Sequence, residues 1–309
     1  MSRILITGAV GMVGRALLAE LASSDHEVIA TDLAAPSSLP DGMRFERMDV
    51  TGRDPEHLIG EIRPDVVIHL ASIVGPMARE KAFAVDVTGS QNVLQACLRH
   101  GVGRLVVTSS GAAYGYHADN PAWLRESDPL RGNTEFAYSD HKRQVEEMLA
   151  TARKEHPALE QVVLRVGTVL GEGVENQITA LFHKKRLLAI KGCDSPFVFI
   201  WTRDLARILA RAAGEGPAGI YNVAGDGAMS VADLAAAMGK GVLNLPAGAL
   251  KAALAVAKPL GLSSYGPEQV RFLQYRPVLA NDALKDVFGY RPECSSREAF
   301  AIWQKGAGL

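Results

Sequence analysis

The sequence predicts a doubly wound α/β fold: a parallel sheet with helices on both faces, joined to a smaller mixed α/β lobe. Three observations predict it. Short apolar, β-branched runs alternate with longer helical segments as far as about Gly167. A glycine-rich turn, Thr7-Gly8-Ala9-Val10-Gly11-Met12-Val13-Gly14, follows the first of those runs. The second run ends on an acidic residue, Asp32. The chain has 309 residues, 48% of them apolar and 22% charged, enough to bury a large core.

Ile4-Leu5-Ile6 reads as the first strand, followed by a helix from about Gly11 to Leu21. Glu27-Val28-Ile29-Ala30-Thr31 is the second strand, and Arg44-Phe45-Glu46-Arg47-Met48 a shorter third that ends at Asp49. Val66-Val67-Ile68-His69-Leu70 is the fourth, leading to a long helix through about Arg99. Arg104-Leu105-Val106-Val107-Thr108 is the fifth and runs into Ser109-Ser110. A second long helix carries Tyr138 to about Glu155, and Gln161-Val162-Val163-Leu164-Arg165 is the sixth strand. Beyond Gly167 the alternation loosens, although Ile220-Tyr221-Asn222-Val223 still reads as a sheet strand. The second lobe is therefore expected to be interleaved with the first. Residues 1–166, with roughly 197–224 returning to them, form the cofactor part, and 167–196 with 225–309 the substrate lobe.

Composition narrows the function. A formal net charge of −1 argues against a nucleic-acid binder or an anionic-membrane binder. The three cysteines, Cys97, Cys193 and Cys294, lack metal-ligand spacing, so reduced thiols and no metal site are expected. Only Met1-Ser2-Arg3 precedes the first strand, from which no leader peptide and a cytoplasmic location are expected. The most apolar later stretch, Val242 to Leu262, is interrupted by lysines, prolines and glycines, short of the ~20 apolar residues of a membrane span. Two readings stay open there, a helix lying on a membrane surface and, preferred, a helix packed in the smaller lobe and walling an apolar pocket.

A dinucleotide pyrophosphate needs backbone N–H donors and a helix N-terminus close by. Gly8 permits the tight turn out of the strand, Gly11 lets the backbone approach the phosphates, and Gly14 lets the helix pack on the sheet. Glycines also punctuate ordinary turns, and it is the position between strand and helix that raises this triplet to a Rossmann-type signal. At the end of the second strand the Asp32 carboxylate can accept both adenosine ribose hydroxyls and would repel a 2′-phosphate. Leu33-Ala34-Ala35 offers no arginine to hold one, so NAD is favoured over NADP.

The spacing Gly-x-x-Gly-x-x-Gly together with Tyr138-Ser139-Asp140-His141-Lys142 resembles the extended short-chain dehydrogenase/reductases, the NAD-dependent epimerase/dehydratase family. Further segments carry the resemblance. Asp49 in Met48-Asp49-Val50-Thr51 is similar to the family's adenine-contacting aspartate, and His69-Leu70-Ala71-Ser72 to the His-Leu-Ala-Ala segment beneath the cofactor. Asp86-Val87-Thr88-Gly89-Ser90-Gln91-Asn92-Val93-Leu94 matches a family segment that usually begins with Asn. Leu284-Lys285-Asp286-Val287-Phe288-Gly289-Tyr290-Arg291-Pro292 resembles the closing Leu-Gly-Trp-x-Pro segment. The resemblance implies NAD contacts from Gly8, Gly11, Met12, Val13, Gly14, Asp32, Leu33, Asp49, Val50, Leu70, Ala71, Ser72, Thr108, Tyr138, Lys142 and Val166. It also implies a homodimer formed through the helices at about Arg79–Arg99 and Tyr138–Glu155.

Hydride transfer at a carbinol needs a base for the hydroxyl proton, and a phenol serves only if its pKa falls from ~10. Lys142 lies four residues after Tyr138, on the same helical face, where its ammonium can stabilise a phenolate. Ser110, four before Tyr114 in Ser109-Ser110-Gly111-Ala112-Ala113-Tyr114-Gly115, matches the register of the family's substrate-polarising serine. Tyr and Lys four apart is a frequent accidental pair, and serines after a strand are ordinary turn formers. Their joint appearance behind the glycine turn favours catalysis by Ser110, Tyr138 and Lys142. His141 is expected to be a solvated helix residue, and His69 to support the end of the fourth strand.

Departures from the family sharpen the reading. Gly111 and Ala112 stand where its sugar dehydratases and decarboxylases carry acids, so oxidation, reduction or epimerisation through a ketone remains. Thr168 replaces a substrate-facing Asn, and Asp194-Ser195-Pro196 replaces an arginine common in nucleotide-sugar members. Arg276 is then the best anion-binding candidate, and the run Lys184, Lys185, Arg186 and Lys191 is expected to be solvated. The expected function is an NAD-dependent oxidoreductase or epimerase acting on a secondary alcohol or ketone of a sugar, sugar nucleotide or related small molecule. The alternatives are a catalytically silent NAD-binding sensor and a dehydrogenase of a more apolar, non-sugar substrate.

Overall fold

In the computed structural model, residues 1–75, 77–263 and 266–309 are described. The chain opens with β1 (Arg3–Thr7), α1 (Met12–Leu21), β2 (Glu27–Asp32), β3 (Arg44–Arg47), α2 (Asp54–Ile62) and β4 (Val66–His69). It continues through α3 (Arg79–Phe83), a π-helical turn over Ala84–Gly89, α4 (Ser90–His100) and β5 (Arg104–Ser110). Next come α5 (Ala137–Glu155), β6 (Glu160–Val166), β7 (Thr168–Leu170), α6 (Gln177–Phe182), β8 (Arg186–Ile190) and β9 (Phe199–Trp201). The remainder is α7 (Thr202–Ala213), β10 (Gly219–Val223), α8 (Val231–Ala237), β11 (Gly241–Leu245), α9 (Ala247–Ala257), α10 (Gln269–Gln274), α11 (Asp282–Asp286) and α12 (Ser296–Gly306).

Seven strands form one parallel sheet in the order β10-β6-β5-β4-β1-β2-β3. Its central strands are continuous apolar runs because both faces are covered, and Ile4, Leu5 and Ile6 are fully buried. On one face Leu17 of α1 and Leu205, Ile208 and Leu209 of α7 close the core. On the other, Ile59 of α2, Val93 and Leu94 of α4, and Val145 and Leu149 of α5 do so. The connection reverses direction between β1 and β4, which opens a crevice at the carboxyl ends of β1, β2 and β4. The glycine turn, Asp32 and Leu70 all border that crevice.

The smaller lobe has an aromatic core. Phe182, Phe197, Phe199, Phe300 and Trp303 pack edge-on or stacked, with Leu187 and Leu234 filling the spaces between them. Two short parallel pairs, β7 with β9 and β11 with β8, complete it. The strip at 197–224 therefore begins outside the large sheet and reaches it at β10. Among the described residues, no helix is long and apolar enough to cross a membrane.

Two expectations need correction. The helix within Val242–Leu262 is α9, and none of its residues is buried. It is rich in alanine, so it has few large side chains to drive into a core, and among its residues Lys251 lines a cleft shared with Tyr116, His117, Asp119, Arg271 and Tyr275. The long helix after β4 is interrupted at Ala84–Gly89 by the π-helical turn, a single-turn distortion of the kind frequent at functional sites.

Candidate active site

Three glycines shape the turn at the mouth of the crevice. Gly8 adopts φ +69°, and a Cβ there would fall 2.7 Å from the Ala71 nitrogen on the loop after β4. A Cβ on Gly14 would fall 2.5 Å from the carbonyl oxygens of both Gly8 and Ala9, so only glycine lets α1 seat this close to the turn. Gly11 caps α1 in an extended conformation with no side-chain capping bond, leaving the first N–H groups of α1 open to an anion. Met12 and Val13 follow, half-buried, in the first turn of α1.

Asp32 stands beside this turn, with Oδ2 accepting from the Val10 N–H at 2.9 Å and Oδ1 from the Leu33 N–H at 2.7 Å. Leu33 is exposed next to it. After β3, Asp49 Oδ1 accepts from the Thr51 hydroxyl (2.7 Å) and N–H (2.9 Å), bonds that hold its carboxyl below the usual range. Val50 is buried against Gly89. The Leu70 N–H donates to the Thr7 carbonyl, and the Ala71 N–H to the Thr7 hydroxyl, which fixes the loop after β4. His69 supports that loop as expected: it is buried between the hydroxyls of Thr7 (2.7 Å) and Ser90 (3.0 Å), and burial pushes it down to about 3. These residues fit an NAD: an open helix start for the pyrophosphate and a carboxylate for the ribose.

The structure brings Ser110, Tyr138 and Lys142 together. β5 delivers Ser110 at its carboxyl end, where Oγ accepts from the Ala112 N–H at 3.1 Å. α5 presents Tyr138 in its first turn and Lys142 one turn later. Burial pushes the Tyr138 phenol up to about 12, and the Ser110 side chain opposes that by hydrogen bonding to it. Lys142 Nζ donates to the Thr108 carbonyl at 3.0 Å and lies 5.7 Å from the centre of the Tyr138 ring. Burial lowers the ammonium's pKa, and the carboxylates of Asp86 and Glu146 counter it. Val166 pairs in register with Ser110 across β5 and β6, which brings Gly167 and Thr168 to the same sheet edge. A Cβ on Gly111 would fall 3.1 Å from the Leu279 side chain, so no second acid fits there without displacing that leucine.

His141 contradicts its expectation of a solvated position. It is fully buried, because this face of α5 packs on the π-helical turn, and its Nδ1 lies 3.0 Å from Asp86 Oδ2. Ser72, expected to face the cofactor, donates its hydroxyl to Asp86 Oδ1 at 2.9 Å.

Arg276 is buried in the smaller lobe with its guanidinium 3.8 Å from the Phe197 ring centre and 4.8 Å from that of Phe272. Nη1 donates to the Ser195 carbonyl, while Nε is buried with no partner, and burial pushes the group down to about 9. Tyr116, which the sequence does not single out, is buried edge-on to Phe272 at 5.5 Å, within electrostatic reach of Arg276 and Tyr138. No motif marks it, since it reaches the site from a loop. Beyond it opens a cleft of about 410 Å³ lined by His117, Asp119, Lys251, Arg271 and Tyr275. Lys184, Lys185, Arg186 and Lys191 are exposed. Among the described residues, no cluster of three or more His, Cys, Asp or Glu side chains could hold a metal ion.

The family model for the NAD dependent epimerase/dehydratase family matches residues 4–224. The chain belongs to that family. It is therefore an NAD-dependent enzyme of the extended short-chain dehydrogenase/reductases, and the match covers the whole large sheet. An uncharacterised protein of Mycobacterium tuberculosis is 24% identical over 99% of this chain and 84% of its own length. A decarboxylating sterol-4-alpha-carboxylate 3-dehydrogenase of Schizosaccharomyces pombe is 30% identical over 56% of this chain and 52% of its own. In fold, the chain is similar to the UDP-glucose 4-epimerase of Thermus thermophilus in complex with NAD, with TM-score 0.75 at 23% identity over 98% of each chain.

Proposed function

We propose that this family member transfers hydride between NAD and a secondary alcohol or ketone, with Tyr138 as the proton-transferring group. The observation that carries the reading is that the Ser110 side chain hydrogen-bonds the Tyr138 phenol while the Lys142 ammonium lies 5.7 Å from the centre of the Tyr138 ring. NAD, when bound, supplies the two-electron hydride acceptor. Tyr138 takes the carbinol proton, or returns it to a carbonyl oxygen. Lys142 favours the phenolate through its charge, and Ser110 orients the substrate oxygen. Thr108 holds Lys142 in place through its carbonyl. Gly8, Gly11, Met12, Val13, Gly14, Asp32, Leu33, Asp49, Val50, Leu70, Ala71 and Val166 line the cofactor. Ser72 contributes through its backbone, its hydroxyl being committed to Asp86.

Thr168 and Arg276 are the proposed substrate contacts. The free Nε edge of Arg276 suits an anionic group such as the diphosphate of a sugar nucleotide. The sterol dehydrogenase relative and the aromatic rings of Phe197 and Phe272 favour a second reading, an apolar alcohol with one acidic group. We assign 1–166 with roughly 197–224 to cofactor binding and 167–196 with 225–309 to the substrate, in a cytoplasmic homodimer built on the α3–α4 and α5 faces. Incubation with NAD and a panel of UDP-hexoses, hydroxysteroids and simple secondary alcohols tests the assignment. Accumulating NADH identifies a dehydrogenase, and epimer formation with retained NAD an epimerase. NAD binding without turnover on any substrate would overturn the enzymatic reading in favour of a sensor.

A further inference from the structure

One strip of the smaller lobe departs from the charge balance of the chain. The whole sequence carries 33 Lys and Arg against 34 Asp and Glu. Residues 183–193 hold Lys184, Lys185, Arg186 and Lys191, residues 238–263 hold Lys240, Lys251 and Lys258, and neither segment contains an Asp or Glu. The fold joins the two, because β8 pairs with β11 from Arg186 opposite Gly241 to Ile190 opposite Leu245. The Arg186 side chain donates to the Val242 carbonyl at one end of this pairing, and the Lys191 N–H to the Leu245 carbonyl at the other, where α9 begins. Among the described residues, Lys184, Lys185, Arg186, Lys191 and Lys251 are exposed and have no ion-pair partner. Lys258 meets Glu268 at 2.8 Å, Lys240 donates to the Phe182 carbonyl, and Asp194 is exposed just past the first segment.

α9 is the apolar part of this strip. A surface helix ordinarily turns polar side chains outward. Here Leu250, Leu254 and Ala257 form the half-buried stripe, and the outward stripe at helical spacing is Ala249, Ala252, Ala253 and Val256, all exposed. Val256 is 62% exposed, and Leu260 and Leu262 just beyond the helix are 65% and 78% exposed. The Leu262 N–H donates to the Ala257 carbonyl, which keeps these leucines at the end of α9. Large apolar side chains and unpaired cations thus share one stretch of surface. A second copy of the chain docked here would bring two sets of cations together, with no acid in either segment to pair them. A nucleic acid would leave the outward apolar stripe unmatched. A bilayer with anionic headgroups matches both parts, since apolar side chains enter the acyl boundary while lysines meet phosphates.

We propose that the β8–β11–α9 strip is a membrane-attachment face that lays α9 flat on an anionic lipid bilayer. Val256, Leu260 and Leu262 enter the headgroup boundary, and Lys184, Lys185, Arg186, Lys191 and Lys251 pair with lipid phosphates. The net charge of −1 conceals this face, because the balancing acids lie elsewhere in the chain. Attachment is peripheral and reversible, and it is independent of the hydride-transfer reading.

The test is co-sedimentation of the full chain with vesicles of phosphatidylcholine alone and of phosphatidylcholine mixed with phosphatidylglycerol. Binding to the mixed vesicles is expected to exceed that to phosphatidylcholine by about ten-fold or more, and to fall at about 1 M salt, where charges are screened within about 3 Å. Two variants separate the components. Lys184→Gln with Lys185→Gln and Lys191→Gln removes charge, and Val256→Ser with Leu260→Ser and Leu262→Ser removes apolar contact. Each is expected to weaken binding to the mixed vesicles by about ten-fold, while cooperative thermal unfolding shows that the variant is folded. Absence of binding to the mixed vesicles, equal binding to both kinds, or binding that either folded variant leaves unchanged overturns the proposal. A dimer broken by the apolar variant in the absence of vesicle binding assigns the face to a second copy, and capture of duplex DNA in its place assigns it to nucleic acid; both outcomes overturn it as well.

Discussion

At Asp32 both carboxylate oxygens already take backbone N–H groups, one from the glycine turn and one from Leu33. The carboxylate is therefore fixed in place before any ribose arrives, and its lone pairs remain available on the crevice side. Asp32→Ser should weaken NAD by about 10- to 100-fold, the range for loss of a charged hydrogen bond, and shrink the preference over NADP; calorimetric titration with each cofactor measures both. His69 gives a prediction of another kind. Its folded value of about 3 lies below the ordinary 6.5, so between those pH values the unfolded chain binds a proton that the folded chain refuses. Its contribution to stability is full above that window and is lost as pH falls through it. His69→Gln should flatten the acid side of a Tm-against-pH curve, and an unchanged slope would show that the histidine is not held neutral. At this scale the proposed catalytic residues could be picked out of the sequence because they sit in short motifs: Ser110 at a strand end, and Tyr138 and Lys142 one helical turn apart. Asp86 was legible only as an oddity, an acid in place of an amide. Its partner His141 was misread as solvated, because the face of α5 that turns inward depends on a packing contact no local pattern encodes.

Among the elements, α1 and the turn before it carry the tightest geometric demand. Gly14→Ala places a methyl 2.5 Å from two carbonyl oxygens, so the helix must shift away from the turn. A loss of about 2 kcal/mol or more is expected, the range for overpacking against rigid backbone, with NAD affinity falling alongside; denaturant unfolding and NAD titration check the two. The parallel strands were readable because runs buried on both faces are continuously apolar. α2 was missed although it carries its own start signals, Asp54 and Glu56 in the first turn and Pro55 at its head. The π-helical turn was unreadable, since no local pattern encodes the contact that Asp86 on it makes with the loop after β4. α9 was overread: apolar composition predicts burial only when large side chains share one face, and alanines do not supply that.

For the whole molecule, the large sheet and the aromatic-cored lobe meet along the crevice that holds the candidate site. The lobe's core depends on Phe182, which touches Phe197, Phe199, Phe300 and Trp303. Phe182→Ala should cost about 3–5 kcal/mol, and differential scanning calorimetry should show whether the lobe unfolds apart from the sheet. The lobe was the least legible region, because its strands are short and its partners distant in sequence. Its proposed substrate features, Arg276 between two phenylalanines with Tyr116 beside it, arise from segments that only the fold brings together. The central claim, that Tyr138 moves the substrate proton at an NAD site, is tested most directly by Tyr138→Phe. The account predicts that hydride transfer to or from NAD falls by about 100-fold or more, the usual size of an acid–base contribution, while the NAD dissociation constant stays within a few-fold of the native value. Undiminished hydride transfer in that variant would contradict it.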